Sequence, residues 1–164
     1  GIRELDLVDL ARLVYPSGYY NSKARKLKAL VDYLGNRYDD DLDAMCKRDL
    51  RSLRQELMDV YGIGEETADD ILLYALDKPA FVIDEYTKRI VHRLNLASGS
   101  GRYSDYQRMF TVSLPHDTQL FSEYHALIVA HAVNVCKKRK PLCKRCCLLD
   151  ICPTGKNSDA AKFS

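Results

Sequence analysis

The chain has 164 residues, 46% of them hydrophobic, and no apolar run approaches the length of a membrane span, so a globular chain outside the membrane is expected. Its formal net charge is only +2, which excludes polyanion binding by bulk charge and requires any such role to come from local clustering of lysine and arginine. No charged, apolar, small-residue leader opens the sequence, so an intracellular location and reduced thiols are expected.

Apolar spacing is helical nearly everywhere. Leu5, Val8, Leu10, Leu13 and Val14 predict a first helix, stopped by Tyr15-Pro16-Ser17-Gly18. A second is predicted from a cap at Asn21 or Ser22, with Ala24, Leu27 and Leu34 on its apolar face and Gly35-Asn36 as its end. Leu50, Leu53 and Leu57 carry the period to Val60, and Ala68, Ile71, Leu72 and Ala75 resume it after two glycines. "AFVI" follows Asp77-Lys78-Pro79, then a helix from about Asp84 to Leu94 and a Ser/Gly loop at Ser98 to Gly101. Two further helices are predicted near Ser104 to Leu114 and Gln119 to Val135, with a polar, frayed tail after Pro153.

The glycines lie in "YGIGEETA", between two helices, where positive φ values and close backbone approach are needed. The helix that follows would begin with outward-facing amide groups and the positive end of its dipole, a seat for a phosphate. For a lone G-x-G, a plain helix-helix connection is the better reading.

Four cysteines close the chain. Cys136, Cys143, Cys146 and Cys152 form C-x6-C-x2-C-x5-C in "CKKRKPLCKRCCLLDIC". In reduced thiols that pattern points to a metal centre, and one C-x-x-C flanked by wide loops suits a [4Fe-4S] cube better than zinc knuckles. Cys147 and Cys46 are read as a spectator and a packing residue. Lys137, Lys138, Arg139, Lys140, Lys144 and Arg145 crowd the same loop without an acidic residue, as contacts to a phosphate backbone require. Asp84, in "VIDEY", opens a helix, and its plain role is an N-cap. His125 and His131 are read as packing or hydrogen-bonding groups, because four thiolates already complete a cube.

"LMDVYGIGEETADDIL", then "VIDEYTKRI", then the four-cysteine loop resembles the endonuclease III superfamily of DNA glycosylases, the helix-hairpin-helix-GPD family. "SGYYNSKARKLKAL" is similar to the helix start that precedes the hairpin there, so the resemblance extends over essentially the whole chain. It implies an all-α, two-lobed fold, with residues 1–79 as a partial lobe carrying the hairpin and 80–164 as a lobe carrying the catalytic aspartate and the cluster loop. It further implies a monomer that acts on double-stranded DNA, in which Gly62, Gly64 and Thr67 hold a backbone phosphate, Asp84 is the catalytic carboxylate and the four cysteines bind the cluster. Where bifunctional members place a Schiff-base lysine, this chain has Glu66, which has no amine to attack the sugar. Glu66 is therefore expected either to share the site with Asp84 as a second carboxylate or to serve only as a helix-start carboxylate, in an enzyme without a β-lyase step. "PSGYYNSKARKL", "GIGEETADDILLYA" and "VIDEY" are most similar to the 3-methyladenine branch, which implies alkylated purines as substrates. Tyr61, Tyr74 and Tyr86 are candidates to face such a base, although core packing is the commoner role of a tyrosine. The helices that precede "SGYYNSKA" in the family are expected to be missing from this chain, which leaves a catalytically silent damage-binding fragment as an alternative to the enzyme. A bifunctional endonuclease III-type enzyme is the other.

Overall fold

A computed structural model of the chain describes residues 1–97 and 101–160, and every regular element among them is helical. The expected Ser/Gly loop falls largely on residues 98–100, outside the described residues. No described helix is long and apolar enough to cross a membrane. The chain divides into two compact units, Gly1–Lys78 and a second that begins at Pro79.

In the first unit, α1 (Leu7–Leu13), α3 (Leu42–Cys46) and α4 (Leu50–Met58) each begin at an aspartate. Asp6, Asp41 and Asp49 accept from the amides of Asp9, Ala44 and Ser52 at 2.8, 3.0 and 2.9 Å, which satisfies donors that a helix start leaves open. The turn Tyr15–Ser17 and Gly18, at φ 68, end α1 as predicted. Leu10 and Ala11 then pack on Ala24 of α2 (Tyr20–Tyr38).

Both predicted ends of α2 differ from the observed ones. It starts after Tyr19, at φ 47, whose carbonyl accepts from the Ser22 and Lys23 amides and makes a side-chain cap at Asn21 unnecessary. It also runs through Gly35-Asn36 to close on Asp39, at φ 52. Gly35 does not break the helix because its missing side chain is used elsewhere: a Cβ there would stand 2.5 Å from Nη2 of Arg3, which crosses α2 to pair with Asp40.

Leu53 and Leu57 of α4 are fully buried. After the hairpin, α5 (Glu65–Asp70) continues as a π-helical turn, Ile71–Ala75, in which the Leu76 amide reaches back to Ile71 O at 3.2 Å. Lys78 closes the unit by donating to the carbonyls of Cys46 and Arg48 at 2.8 and 2.7 Å.

The second unit opens on the buried run Ala80 to Ile83, which lies outside any regular element. A buried segment of that kind must find backbone partners in side chains. They come from α7 (Tyr103–Ser113): Gln107 Nε2 donates to Phe81 O at 2.8 Å, and the Tyr103 hydroxyl accepts from the Ile83 amide at 3.1 Å. Phe81 stacks on Phe110 with centroids 4.1 Å apart and meets Phe121 edge-on at 5.3 Å, which forms the core between α7 and α8 (Thr118–Asn134). The order of this unit is α6 (Glu85–Arg93), α7, α8, the short turns Cys143–Arg145 and Leu149–Ile151, and α9 (Pro153–Ala160). That last helix corrects the expectation of a frayed tail. Proline favours a first helical turn, Cys152 O accepts from Lys156 N at 3.1 Å, and Thr154 donates to Arg93 O at 2.9 Å.

Candidate functional site

The hairpin is pinned by buried Val60 and Ile63 and leaves Gly62, Gly64, Glu66 and Thr67 exposed. Only Gly62, at φ 83, needs glycine for its conformation. Gly64 is the N-cap of α5 with extended backbone, at φ −98 and ψ −177, so the expectation of positive φ at both glycines holds for one. No side chain caps α5. A Cβ at Gly62 would run into the aliphatic chain of Lys26, which lies across the turn and brings a cation to the hairpin.

The acids beside the hairpin need not repel a phosphate. Asp69 is fully buried, gripped by Arg54 through Nε at 2.6 Å and Nη2 at 3.0 Å. Glu65 lies 3.6 Å from the same guanidinium. One arginine thus balances two of the four acids on α5, a pairing without a local sequence signature.

In the second unit, Asp84 caps α6 through Oδ1, which accepts from the Thr87 amide at 2.7 Å. Its Oδ2 faces Nε2 of His125, on α8, at 3.5 Å, and only 14% of the Asp84 side chain is exposed. Burial alone would raise its pKa, but the donors His125 and Thr87 outweigh burial and hold the carboxyl below the usual range. Asp84 is therefore an anion near neutrality in a partly dry place. The cap was readable from sequence; the histidine was not, since its position repeats the helical stripe Phe121, Ile128 and Ala132 that reads as core.

Cys136, Cys143, Cys146 and Cys152 line one cavity of about 50 Å³ together with Arg93 and Gly155. Their surroundings suit a cluster of metal and sulfide. The Leu148 amide points at Cys146 Sγ and the Gly155 amide at Cys152 Sγ, both at 3.4 Å, while Arg93 Nη1 lies 3.1 Å from Cys136 Sγ and His131 Nε2 lies 3.4 Å from Cys146 Sγ. Donors to cysteinyl sulfur are what an iron-sulfur cluster requires of its shell. Gly155 keeps the wall thin, because a Cβ there would stand 3.0 Å from Leu149 and 3.6 Å from Cys152 Sγ. No three His, Cys, Asp or Glu side chains among the described residues are grouped so as to hold a single metal ion. Cys147 is exposed, and Cys46 ends α3 of the first unit.

Sequence reasoning missed the clasp on this loop. Arg89 donates to Cys136 O and Ala132 O, both at 3.0 Å, and Arg93 donates to Cys136 O, Lys137 O and Lys138 O. The signal was available, for arginines four apart share one face of α6. With those carbonyls engaged, Lys137, Lys138, Arg139, Lys140, Lys144 and Arg145 all remain exposed. The three candidate tyrosines, for which core packing was the commoner expectation, are exposed as well: Tyr61 by 59%, Tyr74 by 51% and Tyr86 by 38%. Tyr86 lies under the Arg89 guanidinium, 5.0 Å from ring centroid to Cζ.

Comparison with known proteins places these features in a family. Residues 1–116 match the HhH-GPD superfamily of base excision DNA repair proteins. A Methanocaldococcus jannaschii protein provisionally described as a DNA repair glycosylase is 40% identical over 152 residues, 92% of this chain and 69% of that one. Endonuclease III in a non-covalent complex with DNA superposes with a TM-score of 0.83 at 25% identity, covering 97% of this chain and 70% of that one. The H. pylori 3-methyladenine DNA glycosylase bound to 1,N6-ethenoadenine gives 0.67 at 26% identity, covering 80% of this chain and 65% of that one. The chain thus spans between 65% and 70% of the lengths of these three proteins. It belongs to the HhH-GPD superfamily of base excision DNA repair proteins, the endonuclease III-like DNA glycosylases.

Proposed function

We propose that this protein is a DNA N-glycosylase that hydrolyses the bond between a damaged base and its sugar, with alkylated purines as substrates and no β-lyase step. The observation that carries it is Asp84: a carboxylate at a helix start, mostly buried and held ionised by two donors. Cleavage of an N-glycosidic bond leaves an oxocarbenium-like sugar, and a fixed anion beside it lowers the barrier and orients the attacking water. A stacked base is out of reach, so the nucleotide is flipped out of the duplex at a cost of about a few kcal/mol, least for damaged pairs. An N-alkylated purine leaves with its positive charge neutralised and needs no strong general acid. Exposed Tyr61, Tyr74 and Tyr86 offer faces for a cationic base.

In this proposal the first unit supplies the phosphate grip, through Gly62, Gly64, Thr67 and the uncapped start of α5, and Glu66 contributes a second carboxylate. The second unit supplies Asp84 and the basic loop. Cys136, Cys143, Cys146 and Cys152 would hold a [4Fe-4S] cluster, which when bound supplies a rigid closure for that loop and presents its lysines and arginines to the DNA backbone. The protein would work as an intracellular monomer on double-stranded DNA.

A second reading, a bifunctional glycosylase and lyase, draws on the higher TM-score with endonuclease III, 0.83 against 0.67. Glu66 opposes it, since no amine stands at that position. The test is base release by the full-length protein from duplexes carrying alkylated, oxidised, deaminated or mismatched bases, with Asp84→Asn alongside. Release of alkylated purines, abolished in Asp84→Asn while binding to an abasic-site analogue persists, is expected. Full activity of Asp84→Asn would overturn the mechanism, and release confined to oxidised pyrimidines would overturn the substrate class.

A further inference from the structure

Among the described residues, five helices begin at an aspartate that accepts from the amide three residues on: Asp6, Asp41, Asp49, Asp84 and Asp117. Four are exposed caps. Asp84 differs in being mostly buried and in having an imidazole from another helix at its second oxygen. An N-cap needs one oxygen only. The second contact therefore does something that capping does not ask for.

His125 is costly where it lies. It is 8% exposed, on the buried face of α8 that otherwise carries Phe121, Ile128 and Ala132, and an imidazole in such a stripe must recover its lost hydration from a polar partner. Nε2 is the ring nitrogen that faces Asp84, at 3.5 Å from Oδ2. That separation exceeds a closed N-H···O hydrogen bond, and a shift of a few tenths of an ångström closes it. Catalytic hydrogen bonds are commonly long before substrate binds and tighten in the complex. The two oxygens of Asp84 are thus addressed from opposite sides, one by its own helix and one by α8.

We infer that His125 is a positioning residue for the catalytic carboxylate: its Nε2-H fixes Oδ2 of Asp84 while the Thr87 amide fixes Oδ1, so that the carboxylate meets the sugar in one orientation. Given Asp84 as the catalytic group, on which this depends, the histidine needs no contact with DNA and transfers no proton. It acts by removing the freedom of the Asp84 side chain to rotate, and a carboxylate misplaced by about 1 Å costs on the order of 100-fold in rate.

The role makes a stereochemical demand that core packing does not. The amide nitrogen of glutamine superposes on Nε2 of histidine, whereas that of asparagine reaches only to Nδ1. Single-turnover base release from a duplex containing 1,N6-ethenoadenine or a methylated adenine would be measured for the full-length wild type and for His125→Leu, His125→Gln and His125→Asn. Melting temperature and affinity for an abasic-site analogue would be measured beside it. His125→Leu is expected to lose about 100-fold in the single-turnover rate with analogue binding retained, His125→Gln to recover most of that loss, and His125→Asn to recover little. If His125→Leu does not fold, the contrast between glutamine and asparagine decides alone. Equal rates for those two variants, or an undiminished rate in His125→Leu, would overturn the inference while leaving the glycosylase reading intact. Absence of base release by the wild type from every lesion would instead overturn that reading, and the role of His125 with it.

Discussion

Arg93 Nη1 donates to both the carbonyl oxygen and the Sγ of Cys136, each at 3.1 Å, so one guanidinium on α6 holds the backbone and the thiol where the basic loop begins. Its remaining bonds, to Lys137 O and Lys138 O, orient the first residues of that loop. Charge-assisted bonds of this kind contribute about 1.5–3 kcal/mol each. Arg93→Ala is expected to keep all four cysteines yet loosen the loop, seen as faster tryptic cleavage between Lys137 and Arg145 and faster loss of iron to a chelator. Unchanged cleavage kinetics would show that the cysteines alone hold the loop.

The cysteines separate into two classes by position. Cys143 lines the shared cavity, whereas Cys147, four residues on, is exposed. Cys143→Ser is expected to lose iron, sulfide and visible absorbance and to lower the melting temperature, because ligand binding there is folding energy. Cys147→Ser should keep all three. A colourless wild type that contains zinc would contradict the cluster assignment.

DNA binding by the loop, as proposed, would have an electrostatic signature. Each phosphate neutralised contributes about 0.9 to the slope of log affinity against log salt concentration. Lys138→Glu combined with Lys140→Glu is expected to weaken binding to any duplex and to flatten that slope by about 2, with no change in lesion preference. A slope equal to that of the wild type would make the run a solvated surface.

Much of this architecture was readable because helix starts are local events. Asp84 caps α6 as expected, and the helices expected from Asp84 and Gln119 begin within a residue of those positions. What failed depends on partners far along the chain. Asp69 looks like one of four surface acids until Arg54, fifteen residues earlier, takes it into the interior. Gly35 looks like a helix stop until Arg3 occupies the space its side chain would fill. The clasp of Arg93 on the cysteine loop spans more than forty residues, and His125, read correctly as a packing or hydrogen-bonding group, gave no sign of its partner because periodicity does not report contacts between helices.

Glu56 gives the first unit an acid-sensitive joint. It accepts from Tyr38 at 2.6 Å and from Arg48 at 2.6 Å, and the Tyr38 hydroxyl, opposed by burial and aided by Arg48, lowers its pKa from 4.5 to about 2. A carboxyl with a depressed folded-state pKa stabilises fully above its unfolded value and loses that contribution as pH falls from 4.5 through about 2. Glu56→Gln is expected to cost about 1–3 kcal/mol at pH 7, measured by urea unfolding, and the deficit should shrink steadily below pH 4.5. A deficit independent of pH would locate the effect in packing.

Glu66 lies exposed in the first turn of α5, where a carboxylate suits the helix dipole whether or not it also serves the site. Two consequences distinguish those roles. As a dipole partner only, Glu66→Gln should cost about 0.3–1 kcal/mol of stability and leave base release untouched. If it serves base release by hydrogen bonding, Glu66→Gln should retain activity and Glu66→Ala should lose it. In both cases the side chain at position 66 carries no amine. Borohydride added during turnover, with Asp84 intact, is therefore expected to trap no covalent protein-DNA adduct, assayed as a shifted band on a denaturing gel. An adduct would mean that another lysine attacks the sugar, and the enzyme would then be a lyase despite Glu66.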